Sequence, residues 1–198
     1  MKLKYSKYKF EVALDEVGRG CLAGPVVAAA VVLPEDFFNE EINDSKQLSE
    51  RKRKELDSII RQNAIDYAIA EVSPQKIDEI NILNASFLAM HLAVDKLKVQ
   101  PEFLLVDGNR FHKYKEIPHF CAIKGDANYM NIAAASILAK NHRDFLMDKF
   151  HEEFPDYLWK KNKGYPTIAH RQAIKKYGIT YLHRKTFKLL DNQLFLNL

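Results

Sequence analysis

Only two cysteines, Cys21 and Cys121, occur in the 198 residues, and they lie far apart. Their separation fits neither a zinc knuckle nor a redox pair, so a disulfide scaffold and thiol-ligated metal are set aside. Both are expected to be buried small hydrophobes in a reducing cytoplasm. The chain also lacks any run of about 18 uninterrupted apolar residues, which excludes a spanning helix. Its most apolar stretch, residues 10–33, is broken by Asp15, Glu16, Arg19 and Gly24-Pro25. The basic start leads into Glu11 and Asp15 rather than an apolar core and cleavage site, so no secretory signal is expected. No Gly-x-Ser-x-Gly, His-Glu-x-x-His, Walker loop or Gly-x-Gly-x-x-Gly is present. Serine-hydrolase, zinc-protease, P-loop and dinucleotide chemistries therefore fall away. Without repeats, low-complexity tracts or a linker, the expectation is one domain over 1–198 with a full core. The net charge of +4 permits a polyanionic partner without demanding one.

What is present centres on residues 10–33. Phe10, Val12 and Leu14 alternate along a strand, and a second apolar strand covers 26–33 after a glycine-rich turn. Asp15 and Glu16 interrupt the first strand and are followed by Gly18-Arg19-Gly20. Buried carboxylates need a cation or a catalytic role, and glycines let a backbone approach a ligand closely. Because strand side chains alternate, the two acids cannot both point squarely into one cleft. Either the strand ends there, or one acts through its carbonyl or a water.

Ser49 predicts a helix N-cap, with the helix running through Arg61 on Leu56, Ile59 and Ile60; its run Arg51 to Lys54 reads as a solvated face. Lys46, ahead of that helix, stands where a loop lysine reaches a phosphate. A third strand follows at 65–72. Ser73-Pro74 opens a short helix, and a longer one covers about 83–97, with His91 at its core edge. Phe103 to Val106 form a compact strand ending in Asp107-Gly108, the place where α/β sheets put ligand-binding groups, though an Asp-Gly turn would read the same. A fifth strand at 119–123 leads through Lys124-Gly125-Asp126 into a helix over about 128–150. Asp126 alone would read as its N-cap, and the small residues 133–135 would let that helix lie close to the sheet. Beyond Phe154, Tyr157 and Trp159 stand among Lys160, Lys161 and Lys163, a mixture suited to stacking beside phosphate contacts, and Thr167 caps a helix ending at Gly178.

Four acids, Asp15, Glu16, Asp107 and Asp126, thus stand at strand ends or a helix start. Gathered together they require divalent cations, and all-oxygen ligands select Mg2+ or Mn2+ over zinc. A pair of such ions serves in-line attack on phosphodiesters.

The chain resembles bacterial ribonuclease HII over nearly its whole length. The resemblance rests on the run 14–31, Asp44-Ser-Lys-Gln-Leu-Ser, Val106-Asp-Gly-Asn, Lys124-Gly-Asp-Ala, the run 132–140, Gly164-Tyr-Pro-Thr with His170, and His183-Arg with Phe187. It implies an RNase H-like α/β fold, a central mixed five-stranded sheet flanked by helices, with a helical, substrate-contacting C-terminal part from about 151 to 198. It further implies an endonuclease that cuts the RNA strand of RNA-DNA hybrids and incises duplex DNA 5′ to an embedded ribonucleotide. Asp15, Glu16, Asp107 and Asp126 match the family's metal-site acids. Gly18-Arg19-Gly20 matches its 2′-hydroxyl-reading loop, and Tyr165 its deoxyribose-stacking tyrosine. A monomer in the cytoplasm is expected, and a replication clamp is a conceivable partner of the tail 191–198. At 128–131 the chain departs from the family's usual lysine and hydroxyl residues, which touches one phosphate contact and none of the acids. A nuclease of other specificity and a non-catalytic nucleic-acid-binding or scaffold protein on the same fold stand as alternatives, although clustered carboxylates do not help a pure polyanion binder.

Overall fold

A computed structural model of the chain describes residues 1–43, 45 and 47–190. Lys46, Asp44 and the tail 191–198 lie outside the described residues. The strands are β1 (Glu11–Val17), β2 (Val26–Val32), β3 (Asp66–Val72), β4 (Phe103–Asp107) and β5 (His119–Ala122). The helices are α1 (Glu50–Asn63), α2 (Pro74–Asp95), α3 (Gly125–Asn128), α4 (Met130–Glu153), α5 (Trp159–Asn162) and α6 (Ile168–Tyr177). The sheet order is β3-β2-β1-β4-β5. β1, β2 and β3 pair antiparallel, whereas β4 joins β1, and β5 joins β4, in parallel.

Alternation along the strands decides the layers. Val12, Leu14, Ala28, Ala30 and Val106 face Ile77, Ala89, Met90 and Ala93 of α2. Val27, Ala29 and Val31 face the other way, against Leu56 and Ile60 of α1 and Ala133 to Ala135 of α4. Alanines on α4 let its backbone lie close over the centre of the sheet, as the sequence predicts. Ser49, Ser73 and Thr167 each accept a backbone N–H three residues on, so the serine and threonine N-caps form as expected. The short and long helices expected around 74–97 are one element with a break at Asn81 (φ 65°), whose side chain recaps the chain by accepting from Asn84 N.

Three expectations need correction. Asp126 is not an N-cap: it lies inside α3, and the capping position is Lys124 in a left-handed conformation. The basic run of α1 is not wholly solvated, because Arg53 is buried and its guanidinium meets Asp144 at 3.1 Å and Leu48 O at 2.8 Å. Tyr157 and Trp159 are no stacking platform. Both are buried in a separate small core with Leu22, Ala23, Met147, Ile174 and Leu182 that fastens the C-terminal part beneath the loop after β1. Their apolar area outweighed the basic neighbours that suggested a surface role.

Candidate active site

The parallel register sets Leu14 opposite Val106, and Asp107 opposite Ala122. Consequently β1, β4 and β5 end side by side, with Asp15-Glu16, Asp107 and the Lys124-Gly125-Asp126 turn at adjacent ends. Asp15 is only 6% exposed and points toward α4, where its carboxylate accepts from Ser136 and from Glu16 N at 2.7 Å. Glu16 falls on the other side of the pleat, beside Asp107, in a narrow cleft also lined by Arg19, Ser86, Phe87 and Asn109. Asp107 accepts from Gly125 N at 2.7 Å, which ties the turn carrying Asp126 to the end of β4. Asp126 itself is buried.

The electrostatics are those of crowded, buried acids. Burial, then the charges of Glu16 and Asp107, hold the Asp15 carboxyl well above the usual range. Burial also raises Glu16; Arg19, at 3.1 Å, works against it, and Asp107 adds to it. Among the described residues no three His, Cys, Asp or Glu side chains are drawn up into a ready metal-ligating group. Each acid of the β1 and β4 ends is instead tied to local donors. The donor set is nonetheless all oxygen, partly desolvated and mutually repulsive, which is the chemistry that accepts a hard dication.

Two serines missing from the expected site support it. Ser136 bonds Asp15, and its hydroxyl lies 2.9 Å from that of buried Ser45. Ser45 is thereby anchored behind the acids. The readable signal was a hydroxyl on an otherwise apolar, alanine-rich helix face.

The loop 18–25 stands next to the acids and is woven into the C-terminal part. Leu22 N donates to Gly164 O at 2.8 Å, and Gly24 N to Leu182 O at 2.9 Å. Two fully buried arginines grip the same loop, and among the described residues neither forms an ion pair with a carboxylate. Arg143 donates to Pro25 O, Ala23 O and Lys163 O at 2.8–3.0 Å, and Arg184 donates to Gly24 O and Arg19 O at 2.9–3.1 Å. The glycine at 18 follows from this: its φ is +97°, and a Cβ there would lie 2.3 Å from Arg143 Nε. Gly20 differs, since a Cβ on it would meet nothing within 4 Å. Tyr165, 39% exposed, follows Gly164 at the edge of this loop, and its phenol is raised by burial and by neighbouring Cys21. A roomier hollow of about 600 Å³, lined by Met1, Lys2, Phe120, Ile123, Asn128 and Tyr129, opens beyond β5 and holds none of the four acids.

A mixed sheet with these strand-end acids places the chain in the RNase H-like class of α/β proteins. The structure of a PCNA:RNase HII complex from Archaeoglobus fulgidus matches with a TM-score of 0.78 and 27% identity, covering 93% of this chain and 98% of that one. The chain belongs to the ribonuclease HII family, metal-dependent endoribonucleases acting on RNA-DNA hybrids, whose family model matches residues 12–190. Ribonucleases HII of Christiangramia forsetii and Bacteroides thetaiotaomicron are 62% and 60% identical to it, over 97% and 100% of this chain and 98% and 100% of theirs.

Proposed function

We propose that Asp15, Glu16, Asp107 and Asp126 are the catalytic acids of this ribonuclease H and hold Mg2+ or Mn2+. When bound, such a pair of ions supplies an activated water and a stabilised leaving oxygen for phosphodiester hydrolysis. The observation that carries this reading is Asp15: burial, Glu16 and Asp107 hold its carboxyl well above the usual range, and an arriving cation is what stabilises its ionised form. Ser136 and Glu16 N keep its oxygens aimed at the strand ends, and Gly125 N does the same for Asp107. Among the described residues, no helix is long and apolar enough to cross a membrane, and a cytoplasmic monomer is the reading we carry forward.

The substrate reading extends to incision 5′ to a lone ribonucleotide, leaving 3′-hydroxyl and 5′-phosphate ends. The backbone of Gly18-Arg19-Gly20 would meet the 2′-hydroxyl, the one group that separates RNA from DNA at a nucleotide. The open face at Gly20 gives a sugar room to approach, and half-exposed Tyr165 offers a ring at the neighbouring deoxyribose. Lys46 is assigned a phosphate, and residues 151–198 the flanking duplex. The Archaeoglobus relative was solved with PCNA; docking of tail 191–198 on a clamp is the corresponding proposal here.

The test is cleavage of a duplex carrying one ribonucleotide, beside a uniform RNA-DNA hybrid and an all-DNA duplex, in Mg2+ and in Mn2+. Cutting at the ribonucleotide that disappears in Asp15→Asn and Asp107→Asn is the expected outcome. Activity surviving either substitution, or equal cutting of all-DNA duplex, overturns the reading.

A further inference from the structure

Beneath Tyr165 lies a chain of buried polar rings to which the proposed chemistry gives no task. His170 is fully buried, as is Trp159, and His183 is 1% exposed. Trp159 Nε1 donates to His170 Nε2 at 3.0 Å, and His183 Nε2 lies 3.3 Å from the same nitrogen. On the far side of His183, Nδ1 accepts from Thr180 N at 2.9 Å, with Thr180 Oγ1 at 3.1 Å. These contacts fix the protons. An indole N–H only donates, and so does a backbone amide. His183 therefore has its lone pair at Nδ1 and its proton at Nε2, aimed at His170. His170 Nε2 then faces two donors and cannot carry hydrogen itself. The remaining proton of a neutral His170 must sit on Nδ1, which lies 2.9 Å from Tyr165 O.

We infer that His170 is a positioning residue for Tyr165, held in its Nδ1–H tautomer by Trp159 and His183 so that it fixes the carbonyl, and with it the ring, of the tyrosine beside the loop 18–25. The same turn is tied to the loop from the other side through Leu22 N to Gly164 O, and His183 bridges to Ala23. The network thus sets the distance between the loop and the tyrosine, the two parts to which recognition of a ribose next to a deoxyribose is assigned. This inference rests on the substrate reading above for its consequence, though not for its geometry.

The experiment has a spectroscopic arm and a kinetic arm. In protein labelled with 15N-histidine, the two-bond proton-nitrogen spectrum of the imidazoles is expected to show His170 protonated on Nδ1 and His183 on Nε2. His170 protonated on Nε2 overturns the inference. In the kinetic arm, His170→Leu is expected to raise KM for the single-ribonucleotide duplex about tenfold, with kcat within about threefold, the size of effect one lost hydrogen bond produces. His170→Asn keeps an N–H near the Nδ1 position and is expected to restore KM to within about threefold of the parent. Equal behaviour of the Leu and Asn variants, or no change in either, overturns the inference. Trp159→Phe keeps an aromatic ring in the core, though a smaller one, and removes one donor from Nε2. Should His170→Leu not fold, this variant decides: His183 still donates to His170 Nε2, so retention of the Nδ1–H tautomer with a raised KM supports the inference, and a move to Nε2–H or an unchanged KM overturns it. A parent protein that cuts neither duplex overturns the substrate reading instead, and the spectrum still decides the tautomer.

Discussion

The ends of β1 and β4 and the small core beneath residues 154–184 both bury polar groups, and they handle them in opposite ways. At the strand ends the charges of Glu16 and Asp107 add to burial in raising Asp15, and Asp107 adds to burial in raising Glu16, against the pull of Arg19 at 3.1 Å from Glu16. In the C-terminal core the histidines, tryptophan and two arginines are matched donor to acceptor, and both histidines are held neutral by burial. The first region is arranged at a cost to stability, which is expected where binding a charge completes the structure. The second is arranged for rigidity, because a satisfied buried network has one geometry and every alternative leaves an orphan. On the proposed reading, chemistry falls to the strained region and placement to the satisfied one.

The sharpest way to test that contrast is Asp15→Asn. If Asp15 ligates metal as proposed, its loss is expected to lower kcat about 10³-fold or more, the several kcal/mol such a group supplies. The same substitution removes a buried, repelled charge, so the urea midpoint measured without divalent ions should rise. A variant that is both inactive and less stable would break the contrast. Arg143→Met is the counterpart in the satisfied region. It strips the donors from Pro25 O, Ala23 O and Lys163 O, and unfolding free energy should drop by roughly 3 kcal/mol, since each buried acceptor left unpaired costs about 1–3. Calorimetric melting checks it, and a drop confined to the range of a surface substitution would show that water replaces the guanidinium there.

How far the sequence shows this contrast depends on range. Alternation at Phe10, Val12 and Leu14, the serine and threonine caps, and strand-terminal Asp107 are local signals, and all of them formed where expected. The split of Asp15 and Glu16 between two faces followed from the pleat alone. What stayed illegible needed a partner distant in the chain. Arg143 looks like one more charge on a long helix until Ala23 and Pro25 come to meet it. Trp159 looks like a surface ring until Leu22 and Met147 cover it. Asp126 has the spacing of a cap, and only the left-handed Lys124, which starts the helix one turn early, takes that role away. Ser136 was hidden by the alanines around it.

The satisfied region also has an acid limit. Burial, and then His170, depress His183 to about 4, below the ordinary value near 6.5 that it regains on unfolding. The unfolded chain therefore binds the proton more readily, so stability is complete above about pH 6.5, falls as pH drops toward 4, and levels off below that. The loss reaches roughly 3 kcal/mol at most, and about 2 at pH 5. His170 moves in the same direction. Raised carboxyls such as Asp15 act with the opposite sign, gaining stability as they protonate, so the slope should be steeper in Asp15→Asn than in the parent. Urea midpoints taken across this range in both proteins measure it, and identical slopes would mean that Asp15 is not the repelled acid described.

The smallest expected effect falls on the boundary between the two regions, at Ser136. Its hydroxyl bonds Asp15 on one side and Ser45 on the other, so it is a satisfied contact serving a strained group. Ser136→Ala removes a donor that favours the ionised Asp15 and leaves the carboxylate itself in place. The carboxyl should then titrate still higher, weakening metal affinity about tenfold, as loss of a supporting hydrogen bond to a ligand does. Activity at saturating Mg2+ should recover most of the loss, whereas Asp15→Asn should recover none. The comparison of the two Mg2+ titrations separates a group that aims a ligand from the ligand itself. Equal failure of Ser136→Ala at every Mg2+ concentration would move the serine into the same class as the acids.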